Sequence, residues 1–522
     1  MTQADGEHSD PAEKLHIGRA VARDGLLDAL ARAHFQRVPG SEDRWRGMLA
    51  FQPTGEAGPT TKATMVEIVI PGEFPFEPPK VHPISQVRAE VVTGRTLDDY
   101  HEAGNGWHRD HDNAMCLFTE GDHTLLSWAS GEQLLDQARA WLTRDANGWA
   151  EDEPASDLDR YLQPSQDRRL ILYGELGGLD GKVLQLRAER NNVLRVGGVT
   201  APRRRGPRSG QRVWQADAVL VLDAGDLQAP IRTWDDLLVA VGPERAKTVT
   251  DAHQSGLAKV LITYRRSRVQ GVLGVALERD GDGGLALASL RAAPDDLATR
   301  TIRAHSNMAE LKRKRVAIVG VGAIGSIVAD LLHRSGVGEL HLIDSDLVLP
   351  GNTTRHLLGD DAVGLPKARA VAKVLKRARP RFGTVTWSDK TLKSVDETLR
   401  VLGSHDVVVD ATADSTATAM LTAAAQAGTG QLLSVCVLGD GYAVRVDRTP
   451  TRPGDVPLPS PHLPPPSDPT YETGCGSPVS AVPPAAVWEA AAIAARHTIG
   501  LLLDPKAVAS GEQRILGRGA DQ

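Results

Sequence analysis

The chain has 522 residues, which at roughly 150 per domain leaves room for about three to four domains. Apolar residues make up 41% and charged residues 24%, and 60 Lys+Arg against 66 Asp+Glu give a net charge of −6. No global basic field draws such a chain to nucleic acid or an anionic membrane, and 4% aromatics argue against a base-stacking platform. The three cysteines, Cys116, Cys436 and Cys475, are odd in number and far apart, so no disulfide framework is expected. No C-x-x-C or H-E-x-x-H is present, and no structural zinc is expected. The start is polar and acidic without the apolar core of a signal peptide, so the expectation is a reducing cytoplasm and no membrane span.

In chain order, residues 1–14 read as a disordered tail. A helix follows, with Val21, Leu27, Leu30, Ala31 and Phe35 near helical spacing. Strands are expected at 44–52 and 64–70, and the proline-laden 71–84 cannot be a central strand. Helical spacing returns at 131–144, completing an α+β unit. A charged stretch, 150–168, leads to strand-like runs at 169–176, 182–189, 216–223, 258–266 and 271–280, with a helix near 233–241. An Arg-rich loop, Pro202 to Arg212, reads as solvated surface. From about 300 onward strands alternate with helices, which implies a parallel sheet with strands at 315–319, 339–343, 384–388, 405–410, 431–438 and 441–447. Residues 450–484 hold twelve of the 32 prolines and form a loop before a last helix, 485–503.

The strand Val316–Val319 runs into Gly320-Val-Gly322-Ala-Ile-Gly325, which opens a helix apolar at Ile324, Ile327, Val328, Leu331 and Leu332. Glycines here permit a tight turn and let a phosphate approach backbone amides at a helix N-terminus. Asp344 lies 24 residues on, at the end of the next expected strand. Strand, glycine turn, helix and acid together predict a nucleotide site.

The next residues read Asp344-Ser-Asp346, then Asn352-Thr-Thr-Arg355, then Gly364-Leu-Pro-Lys367. This order resembles the ThiF, MoeB and ubiquitin-activating adenylation family, over residues 300–510. The resemblance implies a Rossmann-like domain that joins a protein's C-terminal carboxylate to the α-phosphate of ATP. It implies that Gly320, Gly322, Gly325, Asp344, Asn352, Arg355 and Lys367 bind the nucleotide. Arg355 and Lys367 suit the neutralisation of building phosphate charge, one as a planar fork and one as a point charge. Asp344 would hold the ribose hydroxyls and Asp414 would hold Mg²⁺, although the acid sits one residue later than the family pattern places it. Arg303 is a weaker candidate for the family's N-terminal arginine, set in a basic stretch.

Cys475 sits in Gly474-Cys475-Gly476 within the proline-rich loop, where flanking glycines imply an exposed, turning backbone. The ubiquitin-activating branch carries a thioester-forming Cys at this place, and Cys475 matches it in position and context. Cys436 lies within an apolar strand and reads as core packing.

Near the N-terminus, Phe74-Pro75-Phe76-Glu-Pro78-Pro79-Lys80-Val81 is similar to the Y-P-x-x-P-P-x-V signature of ubiquitin-conjugating enzymes. Trp107-His108 through Cys116-Leu117 looks like that family's active-site region, without its H-P-N tripeptide. The resemblance implies that Cys116 is an acyl-acceptor thiol; Asn113, Asn105, His108 and His111 are candidates for the missing Asn.

The expected organisation is therefore multidomain, α+β and α/β: a tail at 1–14, a ubiquitin-conjugating-like domain at 15–164, a linker or inactive adenylation-like domain at 165–299, and a ThiF-type adenylation domain at 300–522. This architecture resembles bacterial fusion enzymes of ubiquitin-like conjugation operons, including those of CBASS anti-phage systems. That resemblance implies ATP and Mg²⁺ as cofactors and a protein substrate with an exposed C-terminus, either a ubiquitin-like protein or a cGAS-like nucleotidyltransferase. Thioesters on Cys475 and then Cys116, ligation to a lysine-bearing target, and a homodimer complete the expectation. Two alternatives are an NAD-dependent oxidoreductase on the same strand–turn–helix and a catalytically inactive adaptor that binds a ubiquitin-like protein.

Overall fold

The computed structural model describes residues 11–53, 61–103, 106–118, 127–149, 157–204, 212–214, 217–279, 281, 283–379, 381–428, 430–465, 470–471, 478–479 and 481–517. The chain divides into two compact units, Met1–Asp295 and Asp296–Gln522.

The first unit begins with α1 (Pro11–Arg32), so the helix starts inside the stretch expected as a tail. An antiparallel meander follows: β1 (Gln36–Arg37), β2 (Arg44–Phe51), β3 (Lys62–Val69) and β4 (Lys80–Pro83). β4 is an edge strand, as its proline neighbours require. A short helix, α2 (Gln86–Thr93), comes next. The sheet buries Leu49, Val66 and Ile68 against Leu26 and Leu30 of α1 and against Leu134, Ala138 and Trp141 of α3 (Gly131–Ala146). The side-chain hydroxyl of Ser130 caps α3 by accepting from the Gln133 N–H.

The same unit holds a second, nine-stranded mixed sheet. Its centre is β5 (Ala218–Asp226) parallel to β6 (Lys259–Arg266), joined by the crossover helix α4 (Trp234–Gln254). Gly242, at φ +77°, breaks α4 just before Pro243, where a continuous helix would lose a hydrogen bond. β7 (Val269–Arg279) and β8 (Leu285–Leu290) extend the sheet antiparallel.

The second unit is a seven-stranded sheet built on β9 (Arg315–Val319), α5 (Ala323–Ser335), β10 (Glu339–Ile343), α6 (Lys367–Ala378), β11 (Thr384–Ser388), β12 (Val407–Asp410), α7 (Ser415–Gln426), β13 (Leu432–Leu438) and β14 (Ala443–Thr449). After α8 (Pro484–Leu503), β15 (Gly511–Ile515) closes the edge. The order is β11-β10-β9-β12-β13-β14-β15, parallel through β13 and antiparallel beyond. The order reverses between β9 and β12, which opens a crevice at the carboxyl ends of those strands. α8 is long and apolar enough to cross a membrane by length and composition, but its residues Val487, Ala490, Ala491 and Ala494 are buried in this unit's core with Ile327 and Val328.

Candidate active site

At the end of β9 the chain must turn sharply into α5. Gly320 does so at φ +82°, and a Cβ there would stand 2.6 Å from the Thr412 Cα. Gly325 is tighter still, with a would-be Cβ 1.9 Å from the Gly320 carbonyl oxygen. Gly322 differs: a Cβ there would meet nothing within 4 Å, and no side chain caps the helix it starts. The uncapped start of α5 thus has open space beside Gly322, the room that a phosphate needs to approach a helix N-terminus.

Asp344, at the end of β10, is wedged under this turn. Its carboxylate accepts from the Val321 N–H at 2.6 Å and from the Asp346 N–H at 2.8 Å. Burial pushes the Asp344 carboxyl above its ordinary value, and those two amides pull against the shift. Residues 346–348 pair back on 364–367, through Val348 N–H to Leu365 O, Gly364 N–H to Val348 O and Lys367 N–H to Asp346 O. This pairing draws Lys367, the first residue of α6, onto Asp346, with Nζ 3.0 Å from Oδ2. A cation at a helix N-terminus works against the macrodipole, so the helix itself gains nothing from Lys367 there.

Asn352 and Arg355 are placed differently. The Asn352 Oδ1 accepts from the Leu349 N–H at 3.0 Å, closing a local turn. Arg355 donates to the Val482 carbonyl at 3.1 Å, just before α8. His356 was missed in the sequence. Its buried ring accepts the Leu358 N–H on Nδ1, so Nε2 donates to the Val321 carbonyl at 2.8 Å and fixes the glycine turn from below. Only its adjacency to Arg355 could have marked it.

Asp410, at the end of β12, is buried and accepts from the Thr412 N–H and from the hydroxyls of Thr412, Thr418 and Ser434. Asp414 is exposed and caps α7, accepting from the Ala417 N–H at 2.7 Å. Between them Ala413 takes φ +54°, a left-handed conformation that absorbs the additional residue read in the sequence. Asp410, Asp414, Thr418, Ser434, Cys436 and Asp447 line a groove of about 760 Å³. Cys436 is thus half-buried on a groove wall, where the sequence reading had it packed in the core. No cluster of three or more metal-ligating side chains occurs among the described residues. A Mg²⁺ shared with phosphates needs only one or two carboxylates, so Asp414 fits that lesser demand. Arg303 is exposed on a turn.

Cys475 and Asn105 lie outside the described residues. Cys116 is described, in the first unit. Its loop hangs on β4, with the Met115 N–H donating to the Val81 carbonyl and the Cys116 N–H to the His108 carbonyl. Asn113 does not face the thiol: its Oδ1 accepts from the buried Arg109 at 2.8 Å. His108 stacks on Trp149, and His111 pairs with Asp110. The group at the thiol is Arg160, whose guanidinium donates to Sγ at 3.1 Å. Burial pushes the Cys116 thiol up to about 11, against the pull of Arg160.

Residues 295–504 match the family model described as the ThiF family. The C-terminal part is a ThiF-type adenylation domain. Among curated proteins, the "ATP-dependent ubiquitin transferase-like protein Cap2" of Pseudomonas aeruginosa is 33% identical over 171 residues, 32% of this chain and 30% of that protein. "Ubiquitin-like modifier-activating enzyme 5" of Aedes aegypti is 37% identical over 99 residues, 19% of this chain and 25% of that protein. The matched segments of these curated relatives are under a third of the relatives' own length. Among solved structures, E. coli MccB with ATP aligns at TM-score 0.31 and 19% identity, over 41% of this chain and 66% of that one.

Proposed function

We propose that the ThiF-type domain uses ATP and Mg²⁺ to adenylate the C-terminal carboxylate of a protein, either a ubiquitin-like protein or a cGAS-like nucleotidyltransferase. The acyl group then passes to Cys475, to Cys116, and to the amine of a lysine-bearing target. The observation that carries the reading is Lys367, set at a helix N-terminus against the dipole and beside the Asp344 turn. Such a cation is costly to the fold and useful to an anion.

ATP supplies the adenylyl group and a pyrophosphate leaving group. Lys367 neutralises charge at the uncapped end of α5, and Arg355 adds a second cation to that field. Asp344 holds ribose hydroxyls, Asn352 shapes the turn between them, and Asp414 holds Mg²⁺. The first unit's α+β sheet serves as a conjugating-type domain around Cys116, and the enzyme works as a cytoplasmic homodimer in anti-phage defence of the CBASS kind. The names of the Cap2 relatives support the joining of activation and transfer in one chain.

The test mixes the purified chain with ATP, Mg²⁺ and a candidate protein and resolves the products on a non-reducing gel. Cys116→Ala keeps one thioester and Cys475→Ala loses both. Normal charging of Cys116 in Cys475→Ala overturns the order. The missing H-P-N tripeptide, with Asn113 held by Arg109, favours a second reading, an inactive adaptor. A reducible, ATP-dependent adduct on Cys116 eliminates it.

A further inference from the structure

The residues that hold Cys116 come from outside its own sheet. A turn at Leu158–Tyr161 docks on the cysteine loop with Leu158 and Tyr161 both buried. The Tyr161 hydroxyl accepts from the His108 N–H at 3.2 Å. Arg232, at the start of α4, donates to the carbonyls of Asp110 at 2.9 Å and Gly106 at 3.2 Å, and its guanidinium lies 4.8 Å from the Tyr161 ring centroid. Arg266, at the end of β6, stacks its guanidinium 3.9 Å over Trp107. Three arginines from the second sheet and its entry turn therefore grip the loop 106–116 by its sulfur, its carbonyls and its indole.

We infer that Arg160 is the thiol-activating residue of Cys116, presented by the segment after the sheet domain. The inference rests on the reading of Cys116 as an acyl acceptor. Arg160 is preorganised: buried neighbours anchor its turn, and Asp157 holds its other terminal nitrogen at 2.9 Å. A guanidinium that donates to sulfur favours the thiolate over the thiol. The charged groups acting on Sγ include Arg160, Arg232 and the buried Arg109, which favour the thiolate, and Asp110 and Asp157, which oppose it. Arg160 is the one of these that touches the sulfur.

In the step itself, Cys116 yields its proton to solvent and the thiolate attacks the carbonyl carbon of the incoming thioester. The new C–S bond forms as the old one breaks. The donor cysteine leaves as a thiolate and takes up a proton, so no oxidant or reductant is needed. The nitrogen that donates to Sγ carries a second N–H, which leaves a donor beside the sulfur for the acyl oxygen of the intermediate.

The experiment uses the full chain and follows iodoacetamide alkylation of the Cys116 peptide by mass spectrometry from pH 7 to 10. Arg160→Ala lowers the rate about tenfold at every pH, the effect of one pKa unit on a thiolate fraction. Arg160→Lys, which keeps the charge, recovers most of the rate. A cover or a structural brace predicts the opposite sign, because its removal exposes the thiol. Faster or unchanged alkylation in Arg160→Ala, or no recovery with Lys, overturns the inference. The readout does not depend on acyl transfer: a wild-type chain that never charges Cys116 overturns the acceptor reading alone, and the alkylation result stands apart from it.

Discussion

The glycine turn at Gly320 and the cysteine loop at Cys116 are both short loops at strand ends, but they are held by different means. The first is fixed mostly by its own backbone, through glycine sterics and a strand-like return that delivers Lys367, with two nearby side chains, Asp344 and His356, braced under it. The second is fixed by side chains arriving from 40 to 160 residues away, chiefly Arg160, Arg232 and Arg266. A loop set by its own backbone tolerates little change within it. A loop set by distant arginines can be tuned or released from outside.

The largest effect expected from that contrast is Gly325→Ala. Its Cβ has no room beside the Gly320 carbonyl, so urea unfolding of the second unit should lose more than ~3 kcal/mol. A loss below about 1 kcal/mol would mean the turn yields easily. Acid comes next and falls mainly on the same unit. Burial lowers His333 to about 4, with Arg379 adding to it, and also lowers His341 and His356. The unfolded chain binds protons near pH 6.5 that the folded chain refuses until about 4. Stability is therefore full above pH 6.5 and declines as pH falls through that window, by up to about 3 kcal/mol for His333 alone. Flat stability between pH 7 and 4.5 would contradict it.

Arg232→Ala breaks two charge-assisted hydrogen bonds to the cysteine loop, worth about 2 kcal/mol. It should loosen that loop, and exposure of the thiol should outweigh the lost thiolate-favouring charge of Arg232, so Cys116 alkylation speeds up several-fold, the opposite sign to Arg160→Ala, while ATP binding stays unchanged. The smallest effect is Ala413→Gly. Relief of the left-handed backbone should outweigh the entropy of glycine and stabilise the second unit by under ~1 kcal/mol, read as a small rise in Tm.

The same contrast explains what was legible in the sequence. Gly320, Asp344 and Lys367 could be placed together from the sequence because the elements that bring them together are local: a strand, a turn and a pairing repeat the spacing of the chain. The strands at 315–319, 339–343 and 384–388 stand where alternation put them. Arg160 could not be read, because it lies 44 residues beyond Cys116 in a charged stretch that looked like a linker. His356 was hidden because its partner, the Val321 carbonyl, is a backbone atom with no sequence signature. Cys436 was misjudged because an apolar strand facing a groove has the same composition as one facing a core.

The most direct test of the ATP site is calorimetric titration of the full chain with ATP·Mg²⁺ and, separately, with NADH. The expected result is binding of ATP but not NADH, with the ATP affinity of Lys367→Ala reduced about 100-fold. Binding of NADH with no response to ATP would place an oxidoreductase on the same glycine turn and contradict the account.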